Sequence, residues 1–139
     1  MRYLSILLIS LSTLTGCAYQ LSLTPRDGTP PGIGRAQQLT SDSGTLELDI
    51  GGKRYTGTWA ASRADDDYKL FKAHTSQRRG VLDNETLADP LLNSGSLANG
   101  LLRAADGSSL RCQFRYGANV GYGVCQDDED KIYDFRITR

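Results

Sequence analysis

The stretch Thr45-Leu46-Glu47-Leu48-Asp49-Ile50-Gly51-Gly52-Lys53-Arg54-Tyr55-Thr56-Gly57-Thr58-Trp59 decides how this chain folds. Apolar and polar residues alternate up to Ile50, Gly51-Gly52 tolerates the positive φ of a two-residue turn, and the alternation resumes from Lys53. A two-residue loop fixes the register. Ile50 faces Lys53, Leu48 faces Tyr55 and Leu46 faces Gly57 on one side. Asp49 faces Arg54, Glu47 faces Thr56 and Thr45 faces Thr58 on the other. One face is apolar, and the other pairs opposite charges and two threonines, which are favourable cross-strand neighbours. The unit is an antiparallel hairpin with one face to bury.

The last third of the chain repeats this grammar. Leu97 to Ala104 reads as a strand, and Ala105-Asp106-Gly107-Ser108 as a turn. Leu110, Cys112 and Phe114 alternate with Arg111, Gln113 and Arg115. Gly117 to Gly121 reads as a loop and Tyr122 to Gln126 as a short strand. After the acidic turn Asp127 to Lys131, a last strand turns Tyr133, Phe135 and Ile137 inward. Upstream, Tyr19-Gln20-Leu21-Ser22-Leu23 alternates as a possible short strand. Pro25-Arg26-Asp27-Gly28 then reads as a β-turn, and Thr29 to Gly32 prolongs the break. Between Arg63 and Ser94 no period is clean. Asp67 to His74 reads as a strand, and Asn84 to Leu87 as a short helix or part of a surface loop. The expected fold is all-β, an antiparallel meander forming a small barrel or sandwich.

Composition agrees. The 139 residues suit one domain, and fifteen glycines against four prolines lean toward strands and tight turns. Sixteen Lys and Arg balance sixteen Asp and Glu, so the clustered cations of a nucleic-acid binder are missing. Hydrophobic content of 39% is too high for a wholly disordered chain.

The first residues are an address. Arg2 gives a positive start, and Leu4, Ile6, Leu7, Leu8, Ile9, Leu11 and Leu14 build an apolar core shorter than the roughly 20 residues of a membrane span. Leu14-Thr15-Gly16-Cys17 follows directly and resembles the lipobox of bacterial lipoproteins. The resemblance implies a cleaved signal peptide, residues 1–16, and a Cys17 acylated on sulfur and on its new amine. It further implies a membrane anchor at Cys17 and, since Ala18 rather than Asp comes next, a place on the periplasmic face of the outer membrane. A plain secreted protein with an incidental Cys17 is the alternative. Residues 17–31 are expected to form the lipidated N-terminus and a partly docked tether, and residues 32–139 the periplasmic domain.

With Cys17 assigned to lipid, Cys112 and Cys125 remain, an even pair in an oxidising compartment. The spacing is not Cys-x-x-Cys and no second ligand pair accompanies it, so a structural disulfide is expected over a redox or metal pair. Chain entropy values such a loop at roughly 2–3 kcal/mol. If Cys112 stands opposite Cys125, then Phe114 stands opposite Gly123 and Arg115 opposite Tyr122. The layout Leu110-x-Cys112-x-Phe114, Gly121-x-Gly123-x-Cys125 and Ile132-Tyr133-Asp134 also resembles a group of small β-rich proteobacterial lipoproteins. This chain departs from their pattern in carrying Asp-Glu-Asp-Lys before Ile132, where a glycine turn is expected. That likeness implies a fold and an address but no activity.

Chemistry is sparse. His74 is the one histidine, and neither a Gly-x-Ser-x-Gly elbow nor a His-Glu-x-x-His motif occurs. Asp127 to Asp130 lacks the spacing and central glycine of an EF-hand, so no metal site is expected, nor any cofactor. Asp65-Asp66-Asp67 reads as a solvated turn. Arg78-Arg79 and Arg103 extend a loose cationic set. Arg111, Arg115 and Tyr122 share an outward face that can bind an acidic partner or envelope phosphates. The expectation is a non-enzymatic binding or accessory module for an envelope protein or polymer. The alternative is an inhibitor or immunity lipoprotein that inserts a loop, 75–94 or 116–121, into a lytic enzyme; a small envelope hydrolase is third.

Overall fold

The computed structural model describes residues 18–62, 70, 73, 95–117 and 119–139. Eight strands follow one another: β1 (Ala18–Pro25), β2 (Gly32–Thr40), β3 (Ser43–Ile50), β4 (Lys53–Ser62), β5 (Ser96–Ala104), β6 (Ser109–Tyr116), β7 (Val120–Asp127) and β8 (Ile132–Thr138). Each pairs antiparallel with the next, and β8 pairs with β1, so the sheet closes into a barrel without edges. Of the two expected forms, barrel or sandwich, the chain adopts the barrel.

The hairpin of β3 and β4 has the expected register, from Ile50 opposite Lys53 to Thr45 opposite Thr58. Gly51 and Gly52 take φ of 59° and 78°, the left-handed pair that a tight hairpin turn requires. In β6 and β7, Cys112 stands opposite Cys125, Phe114 opposite Gly123 and Arg115 opposite Tyr122.

Three expectations need correction. Within the segment expected as a partly docked tether, Ala18 to Pro25 belong to the domain itself: they form β1, bonded to β2 on one side and β8 on the other. Without β1 the ring would stay open, and Leu21 and Leu23, both buried, would lose their place in the core. Second, β7 begins at Val120, within the expected loop, because Val120 and Gly121 pair with Thr138 and Ile137. Third, Leu70 and Ala73 are helical, against the strand expected from Asp67 to His74. The rest of that segment, the expected helix from Asn84 to Leu87 and the loop 75–94 lie outside the described residues.

Inward residues of all eight strands fill one core, with Leu23, Leu46, Leu48, Leu102, Leu110, Phe114 and Phe135 essentially inaccessible. Outward positions set opposite charges across from one another instead, such as Arg35 opposite Glu47 and Asp49 opposite Arg54. A barrel with an apolar interior and a charged exterior is the reverse of one that spans a bilayer with its strands.

Candidate functional site

Eight strands enclose an interior just wide enough for side chains or one small ligand, and the two ends here divide those options. At one end, the turn end, lie the four short connections 26–31, 51–52, 105–108 and 128–131. Lys53 Nζ sits 2.6 Å from Asp106 Oδ2 and joins two of them. Ser109 gives its amide and hydroxyl hydrogens to the Asp128 carboxylate and joins the next pair. Lys131 Nζ, 2.9 Å from Asp27 Oδ2, joins the next. Arg26 adds a half-buried ion pair to Asp134 at 3.0 Å. These ties shut the turn end.

They also explain the charge states there. Lys131's hydrogen bond, then the backbone amide and hydroxyl of Thr29, hold the Asp27 carboxyl down at about 2. Lys53 and then Ser108 depress Asp106 further, and Ser109 lowers Asp128. Asp127 accepts the amides of Glu129 and Lys131, each at 2.9 Å, and the Tyr133 hydroxyl at 2.9 Å. Burial first, then Asp127, pushes Tyr133 well above the ordinary tyrosine range. The acidic run is thus a turn that caps itself. Among the described residues, no group of three or more His, Cys, Asp or Glu side chains could hold a metal ion.

At the opposite end, the mouth, the described residues leave an opening. It leads into a cavity of about 320 Å³ walled by Tyr19 of β1, Ala36 of β2, Trp59 of β4, Phe114 and Tyr116 of β6, Val120 of β7 and Ile137 of β8. Gln37, Gln38, Ser96 and Gly117 add to its lining, and none of these described residues carries a charge. The volume is that of a small-ligand pocket.

The sequence places this aromatic wall through the residues beside it. Trp59 stands between Gly44 on β3 and Gly100 on β5. A Cβ at Gly44 would lie 2.8 Å from indole Cε2, and one at Gly100 2.9 Å from Leu46 Cδ1. The indole meets Tyr116 edge-on at 5.0 Å and Phe114 at 6.0 Å, and Phe114 passes the contact on to Phe135 at 5.0 Å. Tyr116 donates to Ser41 O at 3.2 Å, and its burial raises its pKa. The rings are oriented by one another and by the backbone, which leaves a preformed wall.

The residues singled out from sequence lie elsewhere. Arg111, Arg115 and Tyr122 do share the outward face of β6 and β7, with Arg111 exposed and the other two half-buried. Arg115 is engaged, its guanidinium donating to Gly95 O at 3.4 Å. Cys112 and Cys125 form a disulfide in the barrel interior, both buried. Cys17, His74, Arg78, Arg79 and Asp65 to Asp67 lie outside the described residues. The mouth is not visible in the sequence because its lining is drawn from seven strands, most of them giving a single residue. The one hint was a lone Trp at the end of a hairpin strand, beyond what an apolar core needs.

The chain matches no known protein family and no curated protein. Its fold resembles the redesigned β-barrel mFAP1 bound to DFHBI, with a TM-score of 0.54 and 9% identity over 89% of this chain and 94% of that one. It equally resembles a de novo designed fluorescence-activating β-barrel, with a TM-score of 0.53 and 8% identity over 89% of this chain and 92% of that one. At such identities the likeness is one of fold alone.

Proposed function

We propose that this chain is a non-enzymatic binding lipoprotein, anchored through Cys17 to the periplasmic face of the outer membrane, with the barrel mouth as its binding end. The observation that carries the reading is the contrast between the two ends: one shut by ion pairs, the other open onto a preformed aromatic cavity. An apolar pocket with a few polar groups at its rim suits recognition of a small apolar group, whether free or projecting from an envelope protein or polymer. The barrel likeness to a designed protein bound to DFHBI is compatible with that use of an interior.

The inhibitor alternative is less well supported on the described side. Of its two loops, 116–121 is a tight connection closed by the Gly117 amide on Val120 O at 2.9 Å, with little length to insert into a cleft. Photocrosslinkers at Gln38 on the rim and at Asp128 on the turn end, used in intact cells, test the proposal. Adducts from Gln38 alone support it. Adducts from Asp128 alone, or from neither, overturn it.

A further inference from the structure

We propose that the mouth lies against the bilayer and that its cavity takes up one acyl chain of a membrane lipid. The inference rests on the reading of the mouth as the binding end and of Cys17 as the anchor, and it adds the orientation and the ligand.

Three observations lead there. First, β1 starts at the mouth: Tyr19 is part of the cavity wall, and Cys17 lies two residues before it. Two residues reach at most about 7 Å, so an acylated Cys17 holds the mouth, not the turn end, at the membrane surface. Second, exposed Leu39 lies on the mouth side of β2, an apolar side chain that a lipid surface would take out of water.

Third, the lining matches a chain and not a headgroup. A phosphate or carboxylate needs a cation or an array of donors, and the described residues of this lining include no Lys or Arg. Cavities of about 150 Å³ hold one six-carbon ring. On that scale, 320 Å³ takes roughly a dozen carbons of one extended chain.

Trp59 is the only tryptophan of the chain, and its indole is part of the cavity wall. The acylated full-length protein is placed in vesicles of phosphatidylethanolamine and phosphatidylglycerol whose acyl chains carry bromine, a quencher that acts at contact. Emission should fall relative to unbrominated vesicles. The fall should disappear in Val120→Phe, which fills the rim, and in Ala36→Leu, which fills the wall, with circular dichroism and vesicle attachment retained. No fall, or an equal fall in both filled variants, overturns the proposal. If Trp59 ignores brominated lipid but responds to the soluble dye N-phenyl-1-naphthylamine, the acyl assignment fails while the mouth remains a binding end. A protein that leaves the vesicles altogether overturns the anchor as well.

Discussion

Gly123 shows how much of this barrel hangs on single atoms. A Cβ there would lie 2.5 Å from the Phe114 Cα and Cβ on the paired strand, and a backbone atom cannot rotate aside. Gly123→Ala should cost about 1–3 kcal/mol in a denaturant titration. An unchanged midpoint would show that β6 and β7 are not packed as described. The small-opposite-large rule made this pair readable in advance, since the disulfide register put Phe114 against a residue without a side chain. Trp59 between Gly44 and Gly100 obeys the same rule but was not legible, because Gly100 sits on β5 and the β4–β5 pairing joins segments over thirty residues apart. Asp27 belongs to this scale too. A carboxyl held down at about 2 when folded adds stability above its ordinary value near 3.8, and that contribution fades as the pH falls toward 2. Melting midpoints of the native chain should therefore drop more steeply over that window than those of Asp27→Asn, and equal slopes would count against the Lys131–Asp27 tie. Tyr133 works in the opposite direction. Its neutral form is favoured in the fold, so its contribution is intact below about pH 10 and is lost as pH rises beyond it. Asp127→Asn should move one late-titrating tyrosine back toward 10.0 in a phenolate absorbance titration.

Among elements, the β3–β4 hairpin was readable down to each cross-strand pair because period, turn residues and charge all agreed. β2 was not, and the reason is physical. Its outward Ile33 and Leu39 are exposed, and its inward side offers Gly34 and Ala36, so no apolar alternation marks it. Those small inward residues leave room for larger neighbours: Ala36 is part of the cavity wall, and a Cβ at Gly34 would meet Leu48 Cδ2 at 2.7 Å. β1 was half-read, its alternation seen but its two-sided pairing not, because closure involves β8 more than a hundred residues away. The disulfide staples β6 to β7 across a sequence separation of 13. By chain entropy, Cys112→Ser should lower stability by about 3 kcal/mol, a fall in melting midpoint on the order of 10 °C. A melt unchanged under oxidising conditions would remove the staple from the account.

For the molecule as a whole, the two ends are made differently, and that difference emerges only when the ring closes. No local pattern announces that Tyr19, Trp59, Tyr116 and Ile137 meet at one opening, since they come from four strands spread over the chain. The N-terminal address that we propose is, by contrast, local, resting on the resemblance of Leu14 to Cys17 to a lipobox. Joined, the two proposals describe a barrel tethered by the rim of its own cavity. The most direct measurement is the mass of the N-terminal peptide of the protein taken from membranes of its native host. The account predicts a chain that begins at Cys17 and carries acyl groups on the sulfur and the amine. A chain that still begins at Met1, with residue 17 unmodified, would contradict it.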